Sequence, residues 1–201
     1  MQEPSMRKAA ARLGLISVLA LVVGPALGLG CSSNQRAAST GDGSTDVGPG
    51  TWTDPSTGLL WQDPLFVERR TWDSAISACA ALRLEGYDDW RLPTLDELRS
   101  LARGCPATVT GGTCPVTDQC LDSGCWREVC QGCDEMGGPS PEGCYRLFEL
   151  HGDCMTSWTS GVVPNPPNQP EQVWTVGFGG CHVLPYPMSW PLNTRCVRRA
   201  Y

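Results

Sequence analysis

The distribution of apolar residues divides the chain into three parts. A continuous apolar run, Leu13–Leu29, follows a short basic segment, and a polar stretch rich in Ser, Gly and Thr comes next. Mixed apolar and polar patterns begin near Thr51. A basic segment ahead of an apolar run is typical of an export signal. We therefore predict a signal peptide at residues 1–30, a flexible tether at 31–50 and one domain at 51–201.

The first part of the domain predicts a hairpin and a helix. The segment "TWTDPSTGLLWQD" (51–63) has apolar arms on either side of a Pro-Ser-Thr-Gly turn, which indicates two short strands. From Trp72 to Cys79, apolar residues recur at intervals of three and four. This spacing predicts a helix with Thr71 as its N-cap and Gly86 as its stop.

The segment "YDDWRLPTLDEL" contains the start of a second helix. Its Thr94 and Glu97 are spaced as in a capping box, in which each side chain bonds the other residue's backbone amide. An apolar face follows, and Gly104 predicts the end of this helix. We expect Arg91 to pair with a neighbouring carboxylate, either Glu97 or Asp89.

The rest of the domain predicts strands separated by a cysteine-rich insert. The insert, Cys105–Cys154, contains eight cysteines and little periodicity, so we expect disulfides to hold it without a conventional core. Strands are predicted at 156–160, 173–180 and 194–199. Four prolines make the intervening segment, 161–172, a predicted loop.

The net charge limits the possible binding partners, and the cysteine content indicates the cellular compartment. The chain has 15 basic and 21 acidic residues, of which residues 1–30 contain three and one, so the remainder carries a net charge of −8. An acidic surface of this kind excludes nucleic acid as a partner, because that binding depends on neutralising phosphates. Twelve cysteines behind an export signal indicate an oxidising compartment and a disulfide framework.

The end of the signal resembles a lipoprotein processing site. The segment "GLGC" is similar to the lipobox of bacterial lipoproteins, in which Cys31 becomes the acylated first residue, although Gly28 stands where leucine is usual. Two acyl chains would attach the protein stably to a membrane, and Ser32 resembles the outer-membrane sorting pattern. The segment "ALG" (26–28) also fits ordinary signal peptidase, which would give a secreted protein. Acylation would leave one of the other eleven cysteines unpaired.

Several segments together resemble one family. "TDPSTGLLWQD", "WRLPTLDEL", "SWTS", "VWTVGFGG" and "RCVRR" occur in the order of the Lcl C-terminal domain family, named after the collagen-like adhesin of Legionella. The resemblance implies an α+β, C-type-lectin-like fold, with two helices flanking small antiparallel sheets and the chain ends side by side. It also implies a Cys79–Cys196 disulfide and, as a second pairing, Cys154–Cys181. Some members are implicated in adhesion to glycans or host surfaces.

Candidate binding residues are few. Most of the eight tryptophans, Trp90 among them, are expected in the core. Trp126 and Trp190 lie in irregular segments and are the candidates for an exposed pair that stacks on sugar. The two histidines, His151 and His182, accompany no recognisable Ser or Cys motif, so we predict no catalytic residue and no enzyme.

The sequence predicts no metal and no cofactor. One C-x-x-C pair in the insert, Cys130 and Cys133, falls short of the two pairs usual in zinc sites. Asn165, Asn168 and Glu171 supply oxygen ligands, but they do not reproduce the calcium-binding triplets of lectins.

The combined prediction is a bacterial cell-envelope lipoprotein with a non-enzymatic recognition domain for glycan or protein. Its insert is the expected binding face, because long loops on a rigid scaffold commonly carry function. The alternatives are a structural envelope component joined to a partner through a spare cysteine, and a soluble secreted protein.

Overall fold

The structure is a computed structural model that describes residues 50–164 and 170–200. The predicted signal, Cys31, Asn165 and Asn168 lie outside the described residues. Within the described residues, no helix is long and apolar enough to cross a membrane.

The first sheet contains both the first and the last strand of the domain. Strands β1 (Gly50–Asp54) and β2 (Leu59–Asp63) form the predicted hairpin, and β1 already begins at Gly50, which the sequence assigned to the tether. The Asp54 carboxylate closes the turn by accepting hydrogen bonds from the amide and hydroxyl of Ser56. The last strand of the domain, β6 (Val197–Arg199), pairs antiparallel with the other edge of β2.

Helix α1 (Trp72–Ala81) follows the hairpin and buries Ala75 and Cys79. It ends at Ala81, five residues before the predicted stop. Thr71 occupies the N-cap position without capping the helix, because its hydroxyl donates to Ser74 Oγ at 3.0 Å.

Helix α2 (Leu95–Arg99) starts as the capping box predicts but is much shorter than expected. Thr94 Oγ1 accepts from the Glu97 amide, and Glu97 Oε2 accepts from the Thr94 amide at 2.8 Å. The predicted continuation to Gly104 is wrong, because the chain beyond Arg99 bonds to the insert. The Leu101 carbonyl accepts from the Leu147 amide at 3.1 Å, and the Arg103 amide donates to the Tyr145 carbonyl at 3.0 Å.

Ion pairs of the residues before α2 connect this segment to α2 and to the first sheet. Arg91 donates through both terminal nitrogens to the Glu97 carboxylate, at 2.7 Å each, so Glu97 is its partner among the two carboxylates predicted. Asp89 instead accepts from Arg198 Nε at 2.6 Å. Trp90 is buried, as predicted for a core residue.

The second sheet consists of β3 (Thr156–Val162), β4 (Gln172–Gly177) and β5 (His182–Pro187), paired antiparallel in chain order. Strand β5 was not predicted, because "HVLPYP" contains two prolines. Proline lacks the amide that a central strand needs, but it is tolerated at a sheet edge, and β5 is an edge strand.

The insert has a core, which it shares with the rest of the domain. Its secondary structure is limited to two short 3-10 helices, Ser123–Cys125 and Glu128–Gln131. The prediction of an insert without a conventional core is nevertheless wrong, since its buried side chains pack with those of α2 and both sheets. The joint cluster includes Cys105, Val116, Cys130, Tyr145 and Leu150 from the insert, with Trp61, Leu98 and Trp174 from elsewhere.

Five disulfides join cysteines of the described residues. The bond between Cys79 of α1 and Cys196, next to β6, is the pairing that the family resemblance implies. The other four close entirely within the insert: Cys105–Cys133, Cys114–Cys130, Cys120–Cys125 and Cys144–Cys154.

The predicted Cys154–Cys181 pairing is wrong, because Cys154 bonds to Cys144, only ten residues before it. A shorter loop costs less entropy to close. Cys181 is a free, fully buried cysteine, and its thiol lies 3.0 Å from Thr108 Oγ1.

Candidate functional site

An exposed tryptophan marks a cleft beside the second sheet. β5 ends at Pro187, and a tight turn follows in which the Trp190 amide donates to the Pro187 carbonyl at 3.0 Å. The turn holds the Trp190 ring against Tyr186, with the ring centroids 5.3 Å apart and the planes at 62°. Trp190 stays 51% exposed. A fixed, half-exposed indole offers an apolar face and a polar N–H to a ligand.

The wall opposite Trp190 comes from other parts of the chain. Arg70 and Leu192 exchange backbone hydrogen bonds at 2.9 and 3.0 Å, which brings the loop after β2 alongside the Trp190 turn. The resulting aromatic cleft has a volume of about 280 Å³ and is lined by Arg69, Met155, Thr156, Tyr186, Trp190, Pro191 and Leu192. Its walls are therefore mainly apolar, with one guanidinium and the hydroxyls of Thr156 and Tyr186.

Thr156 connects the aromatic cleft to the interior of the sheet. Its Oγ1 lies 3.1 Å from His182 Nε2. Burial lowers the pKa of His182, with Glu135 acting in the opposite direction, so the ring is neutral at neutral pH. The hydroxyl of Thr156 is thus held by an uncharged partner.

Trp126, the other predicted stacking residue, does not form an exposed pair with Trp190. It is half-buried and packs against the core cluster of the insert, and its indole N–H is buried without a hydrogen-bond partner among the described residues. The expectation that it is exposed is wrong. The disulfides Cys120–Cys125 and Cys114–Cys130 hold the chain on both sides of Trp126 close to the core.

Sequence reasoning missed the partners of Trp190. Tyr186 could have been found, because it and Trp190 lie four residues apart in "YPMSWP", a segment in which prolines restrict the chain. Arg69 and Met155 carry no such signal. Their place in the aromatic cleft depends on the Arg70–Leu192 pairing, which joins distant segments.

A larger groove lies beside α2, but its polar groups serve the fold. It has a volume of about 600 Å³, and its lining includes Asp96, Glu97 and Arg199. Asp118 of the insert accepts from the Leu95 amide at 2.9 Å, while Asp96 accepts from the Asp118 amide at 3.1 Å. This exchange fastens the insert to α2. Burial, together with the charge of Asp118, raises the pKa of Asp96.

The remaining polar clusters do not form a metal centre. No group of three His, Cys, Asp or Glu side chains within the described residues could hold a metal ion. Cys130 and Cys133 are both in disulfides, and Glu171 is exposed. His151 Nδ1 lies 2.7 Å from Asp63 Oδ2, and Arg195 donates to Asp63 Oδ1 at 3.0 Å, a cluster that joins β2 to the insert.

The fold and the surface define a class of protein: a cysteine-rich α+β domain with two small antiparallel sheets and a preformed aromatic cleft. The Lcl C-terminal domain family matches residues 50–198, so the chain belongs to that family and carries an adhesin-related domain. No curated protein and no solved structure matches the chain.

Proposed function

We propose that the protein is a non-enzymatic recognition protein of the bacterial cell envelope that binds glycan in the aromatic cleft. The observation that carries this proposal is the geometry of Trp190, whose ring is half exposed yet fixed by Tyr186 and by the turn after β5. A rigid aromatic surface stacks on the apolar face of a sugar with little loss of side-chain entropy. The volume of about 280 Å³ suits one sugar ring.

The C-type-lectin-like arrangement is part of the same proposal. Three features support it: the first and last strands share one sheet, two helices are present, and a disulfide joins α1 to the segment before the last strand. In this arrangement, long loops on a disulfide-bonded domain supply the ligand contacts.

We propose further that Cys31 is acylated and holds the protein on a membrane, with the outer membrane as the expected location. The support is the segment "GLGC" behind an apolar run, and Ser32 after the cysteine. Residues 32–49 then separate the lipid anchor from β1. Cleavage after "ALG" instead would give a secreted protein with the same binding domain.

A surface protein is the second candidate ligand, and the insert favours it. Phe148 is 72% exposed and Met136 is 49% exposed, both within the insert. Aromatic and methionine side chains are enriched in protein interfaces. A covalent link to a partner is less well supported, because the free thiol found in the described residues, Cys181, is fully buried.

The test is glycan binding by the full chain and by Trp190→Ala. We expect the wild type to bind at least one glycan on an array and Trp190→Ala to lose about tenfold in affinity, the upper end of what one aromatic contact contributes. Phe148→Ala is the matched control, since it removes an exposed aromatic side chain that does not line the aromatic cleft. Mass spectrometry of the recovered glycan should show it unchanged.

Three results would contradict the proposal. One is the absence of binding to every glycan on the array. Another is equal affinity of wild type and Trp190→Ala, which would move the binding site away from the aromatic cleft. Loss of glycan binding in Phe148→Ala alone would likewise contradict the proposal, because it would place the glycan site on the insert.

A further inference from the structure

We propose that the aromatic cleft selects a terminal sugar that carries a carboxylate, and that Arg69 binds this carboxylate while Trp190 stacks on the ring. The inference rests on the proposed glycan-binding function and names the class of sugar.

Arg69 is a cation without a partner in the described residues. It is exposed, it lines the aromatic cleft, and its guanidinium has no hydrogen bond or ion pair with residues 50–164 or 170–200. The neighbouring acid, Glu68, pairs with Arg70 at 3.5 Å instead. The other arginines of the described residues bond to carboxylates or backbone carbonyls, and Arg199 interacts with Glu97.

The chemistry of the side chain defines the group that it would bind. A guanidinium presents parallel N–H donors that match the two oxygens of a carboxylate. The other charged side chains of the described residues are engaged elsewhere or lie outside the cleft lining, whose remaining members are apolar apart from Thr156 and the Tyr186 hydroxyl. A ligand with one flat apolar face and one carboxylate therefore uses both the indole and the arginine.

Charge on the rest of the protein limits the ligand to a single acidic unit. The chain after residue 30 carries a net charge of −8, which repels a polyanion. Acidic residues also flank the cleft segments, because Glu68 precedes Arg69 and Asp153 lies two residues before Met155. The volume of about 280 Å³ holds one ring. These features favour the end of a glycan over an internal stretch of an acidic polymer.

The test compares pairs of oligosaccharides that differ only in the terminal sugar, glucuronic acid against glucose and galacturonic acid against galactose. Binding of the full chain is measured by calorimetry or by ligand-observed NMR. We expect at least one acidic member to bind about tenfold more tightly than its neutral partner. Arg69→Gln should remove this preference, because its affinity for the acidic sugar should fall about tenfold to the level of the neutral partner, and Arg69→Lys should keep part of it.

Arg83→Gln is the matched control, because Arg83 is also exposed but donates to backbone carbonyls at the end of α1. It should retain the full preference. A polyglucuronate with the same concentration of chain ends should bind no more tightly than the short acidic sugar.

The outcomes separate this inference from the proposed function. Equal binding of acidic and neutral sugars, or a preference that survives in Arg69→Gln, overturns the role of Arg69 and leaves glycan binding intact. Affinity that rises with polymer length overturns the selection of a terminal sugar. If no sugar of either kind binds, the inference and the proposed function fail together.

Discussion

Arg99, the last residue of α2, offers a direct test of how the insert is held. Its side chain is 1% exposed, and every acceptor found for it is a backbone carbonyl of the insert. Nε donates to Thr108 at 2.9 Å, and the terminal nitrogens donate to Val109 at 3.0 Å, to Cys114 at 3.4 Å and to Val116. One side chain outside the insert thus forms hydrogen bonds with four carbonyls of the first loop of the insert.

Replacing Arg99 with methionine keeps most of the side-chain volume and removes all these donors. Two effects oppose each other. Methionine avoids the cost of burying a guanidinium, whose pKa is lowered by that burial. Four carbonyls lose their donors, however, three of them at fully buried hydrogen bonds. Because each unsatisfied buried polar group costs about 1–3 kcal/mol, this loss should prevail, and we expect a net destabilisation of about 3–5 kcal/mol.

The assay is denaturant unfolding of Arg99→Met combined with hydrogen exchange. The free energy of unfolding should fall by the stated amount, and the amides of the loop 105–116 should lose protection first. Arg103→Met is the control, since Arg103 also donates to carbonyls, those of Ser100 and Ala102, but from a half-buried position. It should cost less than about 1 kcal/mol. A loss below about 1 kcal/mol in Arg99→Met, with the loop still protected, would refute the reasoning.

Two further predictions concern Glu97 and Cys181. Burial raises the pKa of Glu97, but its bonds to Arg91 and Thr94 outweigh this and hold the pKa below its ordinary value. The stabilisation by the ionised carboxylate is therefore present at neutral pH and is lost as the pH falls through the lowered pKa. Glu97→Gln should be about 1 kcal/mol less stable at pH 7 and should approach the wild type as the carboxyl is protonated in acid; a gap that widens in acid would contradict this. Burial raises the pKa of the Cys181 thiol, so alkylation should modify it only after unfolding; rapid labelling of the native protein, or a covalent partner on Cys181, would show that it is accessible.

The elements with local sequence signals were predictable without the fold. The Pro-Ser-Thr-Gly turn sets the β1–β2 hairpin, and the capping box sets the start of α2, because both depend on residues within a few positions of each other. The family could likewise be predicted from short segments in a fixed order, and the match to residues 50–198 confirms it. For the candidate site, the sequence predicted Trp190 and carried a local signal for Tyr186, but it carried none for Arg69 or Met155.

Tertiary structure decided the features that depend on which distant segments meet. The end of α2, the pairing of Cys154 and the burial of Trp126 all follow from the way the insert packs against α2 and the sheets. Arg69 joins the aromatic cleft because Arg70 pairs with Leu192, far along the chain. Such contacts depend on the combined burial of many side chains from distant segments, so they cannot be predicted from a short stretch of sequence.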